Sequence, residues 1–365
     1  MFKFLNLQPE VFGLDINDLS LKIVKLRKSR KGFKLVSLNE VSIKPGIIKE
    51  GTVQDKDALS DVIKSAVNTA KGAKLANNYV AMSLPEEKSF SQVIQMPKMT
   101  DNELKTAVPF EAENYIPLTI DKVYLDFQII DSHKDGEANH VDVLINVMPK
   151  PIVDTYVYSI KKAKLVPYIL EVESQATVRA LVKDKKSFPP TIFIDLGQDN
   201  TSFIIFSGGS IRFTSSLSVY SGQMTKTISE KLKISMAEAE ELKMKCGLVP
   251  GKEKKYDVKE CLSPIMANLA DEIKRYINFY KGHISHEDFS SDKKIEKIVL
   301  SGGGSNLKGL VEFLTEELKT PIEFGDPFIN VKVPTKGPLS IPKEKALSFT
   351  TAIGLALRAA DDQLV

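Results

Sequence analysis

Apolar runs of strand length alternate along this chain with stretches of helical period. In residues 191–206 the run Ile192-Phe193-Ile194-Asp195-Leu196 meets Gly197, Gln198, Asp199 and Asn200, and a second apolar run follows from Thr201. Two such runs around a cluster of turn formers predict a β-hairpin. The pattern has a forerunner at residues 11–24, where Asn17 and Asp18 form the polar turn. In both, an aspartate (Asp15, Asp195) stands at the end of the incoming strand, so the chain is expected to be built from two related halves.

The elements between and after the hairpins extend this reading. Residues 33–37 predict a third strand, residues 55–71 a helix through Leu59, Ile63, Ala66 and Ala70, and residues 79–84 another strand. Residues of about 85–164 break the rhythm. They predict a strand at 90–96, a helix opened by a Thr100/Glu103 capping box and limited by Pro109 and Pro117, and a hairpin of 123–130 with 141–148 around residues 132–137. Met148-Pro149-Lys150 leads into a further helix. A strand at 166–173 and a helix at 174–182 close the first half. The second half adds a strand at 207–216, a helix from Ser221, an amphipathic helix at 262–280 and an irregular segment at 327–345. The expectation is an α/β fold of two duplicated lobes, 1–187 and 188–365, with a small α+β subdomain inserted at about 85–164.

Composition excludes several classes. With 365 residues and 42% hydrophobic positions, the chain can bury two cores. Its 50 basic and 47 acidic residues leave a net charge of +3, which argues against a dedicated nucleic-acid binder. Cys246 and Cys261 have neither disulfide-framework nor metal spacing, and His133, His140, His283 and His286 form no ligand grouping. No apolar run reaches membrane-spanning length, residues 1–7 are too short for a signal-peptide core, and the C-terminal end offers no amphipathic anchor. Arg27, Lys28, Arg30 and Lys31 read as a solvated hairpin tip in preference to a surface that meets lipid head groups.

The candidate chemistry lies in the turns. A tight turn at Gly197 exposes backbone N–H groups without a Cβ in the way, which suits phosphate oxygens, and an adjoining carboxylate suits magnesium. A third element has the same character: an apolar strand at 298–300, then Gly302, Gly303 and Gly304, then Ser305 and Asn306 as a cap for an amphipathic helix from Leu307. The dinucleotide pattern G-x-G-x-x-G fails at Leu307 and the P-loop pattern fails at Leu310.

These residues resemble the first phosphate, second phosphate and adenosine motifs of the actin-like ATPase superfamily. Glu240-x-x-Lys243 is similar to its ribose and adenine contact, and residues 351–356 resemble its last connecting helix. The stretch Phe110-Glu111-Ala112-Glu113-Asn114-Tyr115-Ile116-Pro117, with residues 123–127 and the Met148-Pro149-Lys150 turn, narrows the resemblance to the PilM family of the type IV pilus inner-membrane platform. The resemblance implies a cytoplasmic protein held peripherally at the inner membrane through its partners. It would bind ATP and capture the short cytoplasmic N-terminal segment of PilN beside the inserted subdomain. Asp15, Ile16, Asn17 and Lys22 would serve the first turn; Asp195, Gly197, Gln198, Thr201 and Gly222 the second; Glu240, Lys243, Gly302, Gly303, Gly304 and Ser305 the adenosine side. Asp15 and Asp195 would hold Mg2+ through water. Phe110, Tyr115, Ile116 and Tyr124 are candidates for the peptide wall. The first turn departs from the superfamily's Asp-Ile-Gly-Ser-Ser-Ser at Asn17 and Asp18; Asp18 places negative charge beside a polyphosphate, which implies weak binding or slow turnover unless Lys22 offsets it. Glu171, Glu173 and Gln175 are the candidates for orienting a hydrolytic water. The alternatives are an FtsA-like division protein and another actin-superfamily ATPase or kinase.

Overall fold

The computed structural model describes residues 9–30, 32–75, 77–130, 140–185, 187–249, 257–283 and 295–361. The expected turn at 132–137, with His133, and His286 lie outside them. The chain divides into two compact units. One holds Met1–Ser89, Met148–Lys183 and Asp326–Val365, the other Phe90–Val147 and Asp184–Gly325. Both units are discontinuous, whereas the sequence reading placed the boundary at residue 187 and the insert with the first lobe.

In the first unit a meander of β1 (Val11–Ile16), β2 (Ser20–Ser29) and β3 (Gly32–Ser42) is followed by a short hairpin of β4 (Ile48–Lys49) and β5 (Thr52–Val53). Then come α1 (Lys56–Asn68), the two-residue β6 (Lys71–Gly72) and β7 (Tyr79–Leu84). The Asp55 side chain caps α1 by accepting from the Asp57 and Ala58 N–H groups. In the second unit β8 (Phe90–Pro97), α2 (Asp101–Ala112), β9 (Val123–Ile130) and β10 (His140–Pro149) form the inserted subdomain. The Thr100/Glu103 capping box forms. Pro109, however, sits inside α2 and does not end it. Val108 and Ala112 are buried on either side of it in the subdomain core, and that packing offsets the missing N–H.

The chain returns to the first unit with α3 (Lys150–Lys162), β11 (Val166–Val172) and α4 (Glu173–Leu181). It then builds the second unit from β12 (Thr191–Leu196), β13 (Thr201–Ser207), β14 (Ser210–Leu217), α5 (Ser221–Leu232), α6 (Met236–Cys246), α7 (Val258–His283), β15 (Lys297–Ser301), α8 (Leu310–Leu318) and β16 (Ile322–Phe324). β17 (Val331–Lys332), the one-turn α9 (Lys343–Ala346) and α10 (Thr350–Ala360) complete the first unit. The segment expected to be irregular thus carries a strand, because Val331 is buried and pairs with Phe33 at the sheet edge.

The duplication is visible in strand order. Among the described residues the first sheet runs β11-β7-β1-β2-β3-β17 and the second runs β16-β15-β12-β13-β14-β8-β10-β9. Each contains one antiparallel meander with two parallel strands added on its first side. The edges beyond the meanders differ: β17 extends one, and the inserted subdomain extends the other through β14 and β8. An ion pair reinforces that join, Arg212 Nη1 to Asp142 Oδ2 at 2.7 Å.

Small residues permit close packing in the first unit. A Cβ on Gly13 of β1 would come within 2.7 Å of the Ala352 carbonyl oxygen on α10, and one on Gly354 within 1.8 Å of the Ala176 carbonyl oxygen on α4. In the second unit Phe203 of β13 stacks on Tyr276 of α7 with ring centroids 5.4 Å apart.

Candidate functional site

The first candidate turn is built by the β1–β2 hairpin. Asp15 pairs with Lys22 across the strands, and the Asn17 N–H closes the turn on the Ser20 carbonyl at 2.8 Å. Asp15 is buried; its Oδ1 accepts from Ser83 Oγ at 3.0 Å and its Oδ2 from Asn17 Nδ2 at 3.3 Å. Burial holds its carboxyl above the usual aspartate range, against the pull of the Lys22 charge and of those two hydrogen bonds. Lys22, also buried, donates to Ser20 Oγ at 2.9 Å.

Two expectations for this turn change. The Ile16 N–H is engaged by Ser83 Oγ at 3.1 Å and its side chain is core, so Ile16 shapes the turn from below. Asp18, expected beside a polyphosphate, instead accepts from the backbone N–H groups of Glu50 and Gly51, at 2.5 and 3.0 Å. Those residues have φ of 48° and 67°, and the Asp18 carboxylate ties their turn to the hairpin.

The second turn repeats the register. Asp15 pairs with the seventh residue after it, and Asp195 does the same with Ser202. Each aspartate strand also lies parallel to a strand that ends near a serine: Ser83 in β7, and Ser301, which pairs with Asp195, in β15. The Gly197 N–H bonds the Asn200 carbonyl at 2.9 Å, and the Gly197 and exposed Gln198 carbonyls accept from the Ser221 and Gly222 N–H groups that open α5. A Cβ on Gly222 would meet the Gln198 carbonyl oxygen at 2.7 Å.

The glycine turn closes on this hairpin from the other side. Gly302 has a φ of 82°, and a Cβ there would lie 2.4 Å from both Asp195 Oδ1 and the Leu196 carbonyl oxygen; one on Gly304 would lie 2.9 Å from Leu196 and Ser221 atoms. Gly303 begins a 3-10 turn, Gly303–Asn306. The hydroxyl of the buried Ser305 donates back to the Ser301 carbonyl, and Gly309 with φ 80° precedes α8. The expected Ser/Asn cap is therefore absent. Glycine in the left-handed conformation starts the helix, and the Ser305 and Asn306 side chains bond within their own turn. Opposite Asp195 the hydroxyl of Ser301, and opposite Leu196 that of Thr201, are buried without a hydrogen-bond partner.

Lys243 and Glu240 on α6 divide their expected roles. Lys243 is 2% exposed and donates to the Ser221 carbonyl, Ser221 Oγ and Thr225 Oγ1 at 3.1, 2.8 and 2.7 Å, and it pairs with Glu240 Oε2 at 2.7 Å. Burial pulls its ammonium below the ordinary lysine value, with Glu240 countering. Its donors are occupied, so Lys243 fixes the start of α5, while Glu240, its side chain 42% exposed, accepts from that ammonium and from the Thr225 hydroxyl through Oε2. Sequence reasoning missed Ser221 and Thr225 as the partners of this lysine. Their signal was the alignment of Ser221 and Thr225 on one face of α5 at i, i+4 spacing.

The candidates for orienting water are mostly occupied. Glu171 is paired with Arg179 and, at 3.4 Å, with Arg358. Glu173 and Glu86 exchange bonds, each carboxylate accepting the N–H at the other's helix start. Gln175 is half-buried, and its Nε2 has no hydrogen-bond partner. On the inserted subdomain Phe110 is 74%, Tyr124 48% and Tyr115 40% exposed, while Ile116, at 8%, belongs to the core.

Residues 13–360 match the family model of the type IV pilus assembly protein PilM. The chain belongs to the PilM family. A solved PilM–PilN type IV pilus biogenesis complex contains a chain 27% identical to this one, with 96% of this chain and 99% of that one covered and a TM-score of 0.81. The cell division protein FtsA of Neisseria meningitidis serogroup B is 26% identical over 188 residues, 48% of this chain and 44% of FtsA, so the match spans less than half of that relative. MreB5 of Spiroplasma citri, solved bound to ADP, shares the fold at 12% identity, with 95% of each chain covered and a TM-score of 0.56. The fold of this PilM-family chain is thus the actin-like ATPase fold, and among its described residues no helix is long and apolar enough to cross a membrane.

Proposed function

We propose that this PilM-family protein is an ATP-binding adaptor that holds the short cytoplasmic N-terminal segment of a PilN-like inner-membrane protein and is kept at the inner membrane by that partner. The observation that carries the nucleotide part is the repeated hairpin, with Asp15 and Asp195 at the same register position in the two units. The unpartnered hydroxyl of Ser301, paired with Asp195 across the strands, fits a phosphate- and cation-binding turn. Each aspartate is assigned to Mg2+ through water, the Gly197–Asn200 and Gly302–Gly304 turns to phosphate, and the exposed carboxylate of Glu240 to the ribose. Each hairpin, within its own unit, offers a turn and a carboxylate that suit a phosphate oxygen and a hydrated cation. That MreB5, of the same fold, was solved with ADP supports this reading.

The partner part is supported by the solved PilM–PilN complex and by the exposed aromatics Phe110, Tyr115 and Tyr124 on the inserted subdomain. An extended segment gains main-chain bonds by adding to a sheet edge, and β9 is such an edge. With Glu171 and Glu173 both engaged, turnover is at most slow, and bound nucleotide acts as a structural ligand or slow switch. The test is anisotropy of a labelled peptide carrying the partner's cytoplasmic segment. Saturable binding that Tyr124→Ser weakens about tenfold, the loss of one aromatic anchor, is expected. No binding, together with co-purification of division-ring proteins, favours the FtsA-like alternative.

A further inference from the structure

The first sheet ends in a line of cations. Arg27 of β2 lies opposite Lys34 of β3, and Lys34 lies opposite Lys332 of β17, so three positive side chains occupy one rung across three adjacent strands. Directly opposed residues share a face at a spacing of about 5 Å. Like charges so placed repel and weaken the sheet. All three residues are exposed. Lys28 and Arg30 extend the charge along the hairpin.

The rung is held in place. The Asn330 side chain donates to the carbonyl oxygens of Arg179, Ala180 and Val182 around the end of α4, which fixes the segment that delivers Lys332. Two acids stand nearby: Glu10, bonded to Lys25, whose carboxyl is held low by that bond and, less, by the Arg27 charge, and Asp361, which faces Lys28.

We propose that the Arg27–Lys34–Lys332 rung is a docking surface for the anionic phosphate headgroups of a membrane. The surface is one row of exposed, strongly hydrated cations. Such a row matches a fluid array of phosphates by charge. The inference stands on the sheet register alone, and its failure leaves the nucleotide and peptide readings untouched.

The test is co-sedimentation of the full chain with phosphatidylcholine vesicles, with and without phosphatidylglycerol. The expected result is binding only to the anionic vesicles, weakened by added salt. At about fivefold per cation, Lys34→Gln and Lys332→Gln each lose that much, and the triple variant with Arg27→Gln loses about 100-fold. The neutral singles keep the strand pairing and carry the test should the triple variant not fold. Equal binding to both vesicles, unchanged binding by the singles, inorganic phosphate bound at these residues without vesicle binding, or vesicle-free self-association that the same substitutions abolish each overturns the proposal.

Discussion

Lys243 is the residue on which the second turn depends, and its role is structural. A buried ammonium satisfied by two hydroxyls, a carbonyl and a carboxylate is costly to truncate, because the partners are left without a donor. Lys243→Met is expected to lower stability by about 3 kcal/mol in urea denaturation. Glu240→Gln keeps an acceptor but removes the counter-ion of that buried ammonium, and is expected to lower stability by about 1–3 kcal/mol while weakening ATP binding. Asp15 gives a pH signature. Burial raises its folded-state pKa above the ordinary aspartate value of 3.8, so the folded state takes up a proton more readily than the unfolded one. The nucleotide-free protein therefore loses stability from this group as pH rises from 3.8 through the raised value. ATP–Mg2+ affinity moves oppositely, since protonation competes with the cation, and calorimetric titrations at falling pH are expected to show weakening that begins above 3.8. Which residues stand in the turns was legible from Asp, Gly and Asn spacing. That Asp18 bonds Glu50 and Gly51, and that Ile16 meets Ser83, was not, because both are contacts distant in sequence.

At the scale of elements, period and capping carried most of the assignments. The capping box at Thr100 and the paired hairpins follow from local chemistry, and the structure forms each of them. Local signals failed where packing decided: α2 passes through Pro109 because its neighbours are buried, and Gly309 starts α8 where Ser305 was expected to cap it. Two substitutions test the packing account. Gly354→Ala places a methyl 1.8 Å from the Ala176 carbonyl oxygen on a helix backbone that cannot yield cheaply, and a loss of at least about 3 kcal/mol is expected in thermal or urea unfolding. Arg212→Ala leaves Asp142, 10% exposed, without its guanidinium at the join of β14 and the inserted subdomain, and a loss of about 3 kcal/mol is expected. A double change of both partners to apolar residues of similar size should recover much of it.

On the scale of the whole molecule, duplication was legible and the discontinuity of the units was not. Strand order repeats between the two sheets, as the repeated hairpins implied, but the chain's last helix returns to the first unit. Nothing in the periodicity of residues 350–360 specifies which sheet they cover; the decision lies in Gly13 and Gly354, whose missing Cβ atoms admit α10 against β1 and α4. A chain ending at residue 325 is accordingly expected to expose the apolar face that α10 covers and to be recovered as aggregate, as size-exclusion chromatography would report. The nucleotide site proposed for this PilM-family protein is tested by calorimetric titration of the full chain with ATP and magnesium, alongside Asp195→Ala. Saturable binding by the natural protein and none by the folded variant is the expected result. No heat of binding from the natural protein, or equal binding by Asp195→Ala, would contradict the assignment of Asp195 and the turn it ends.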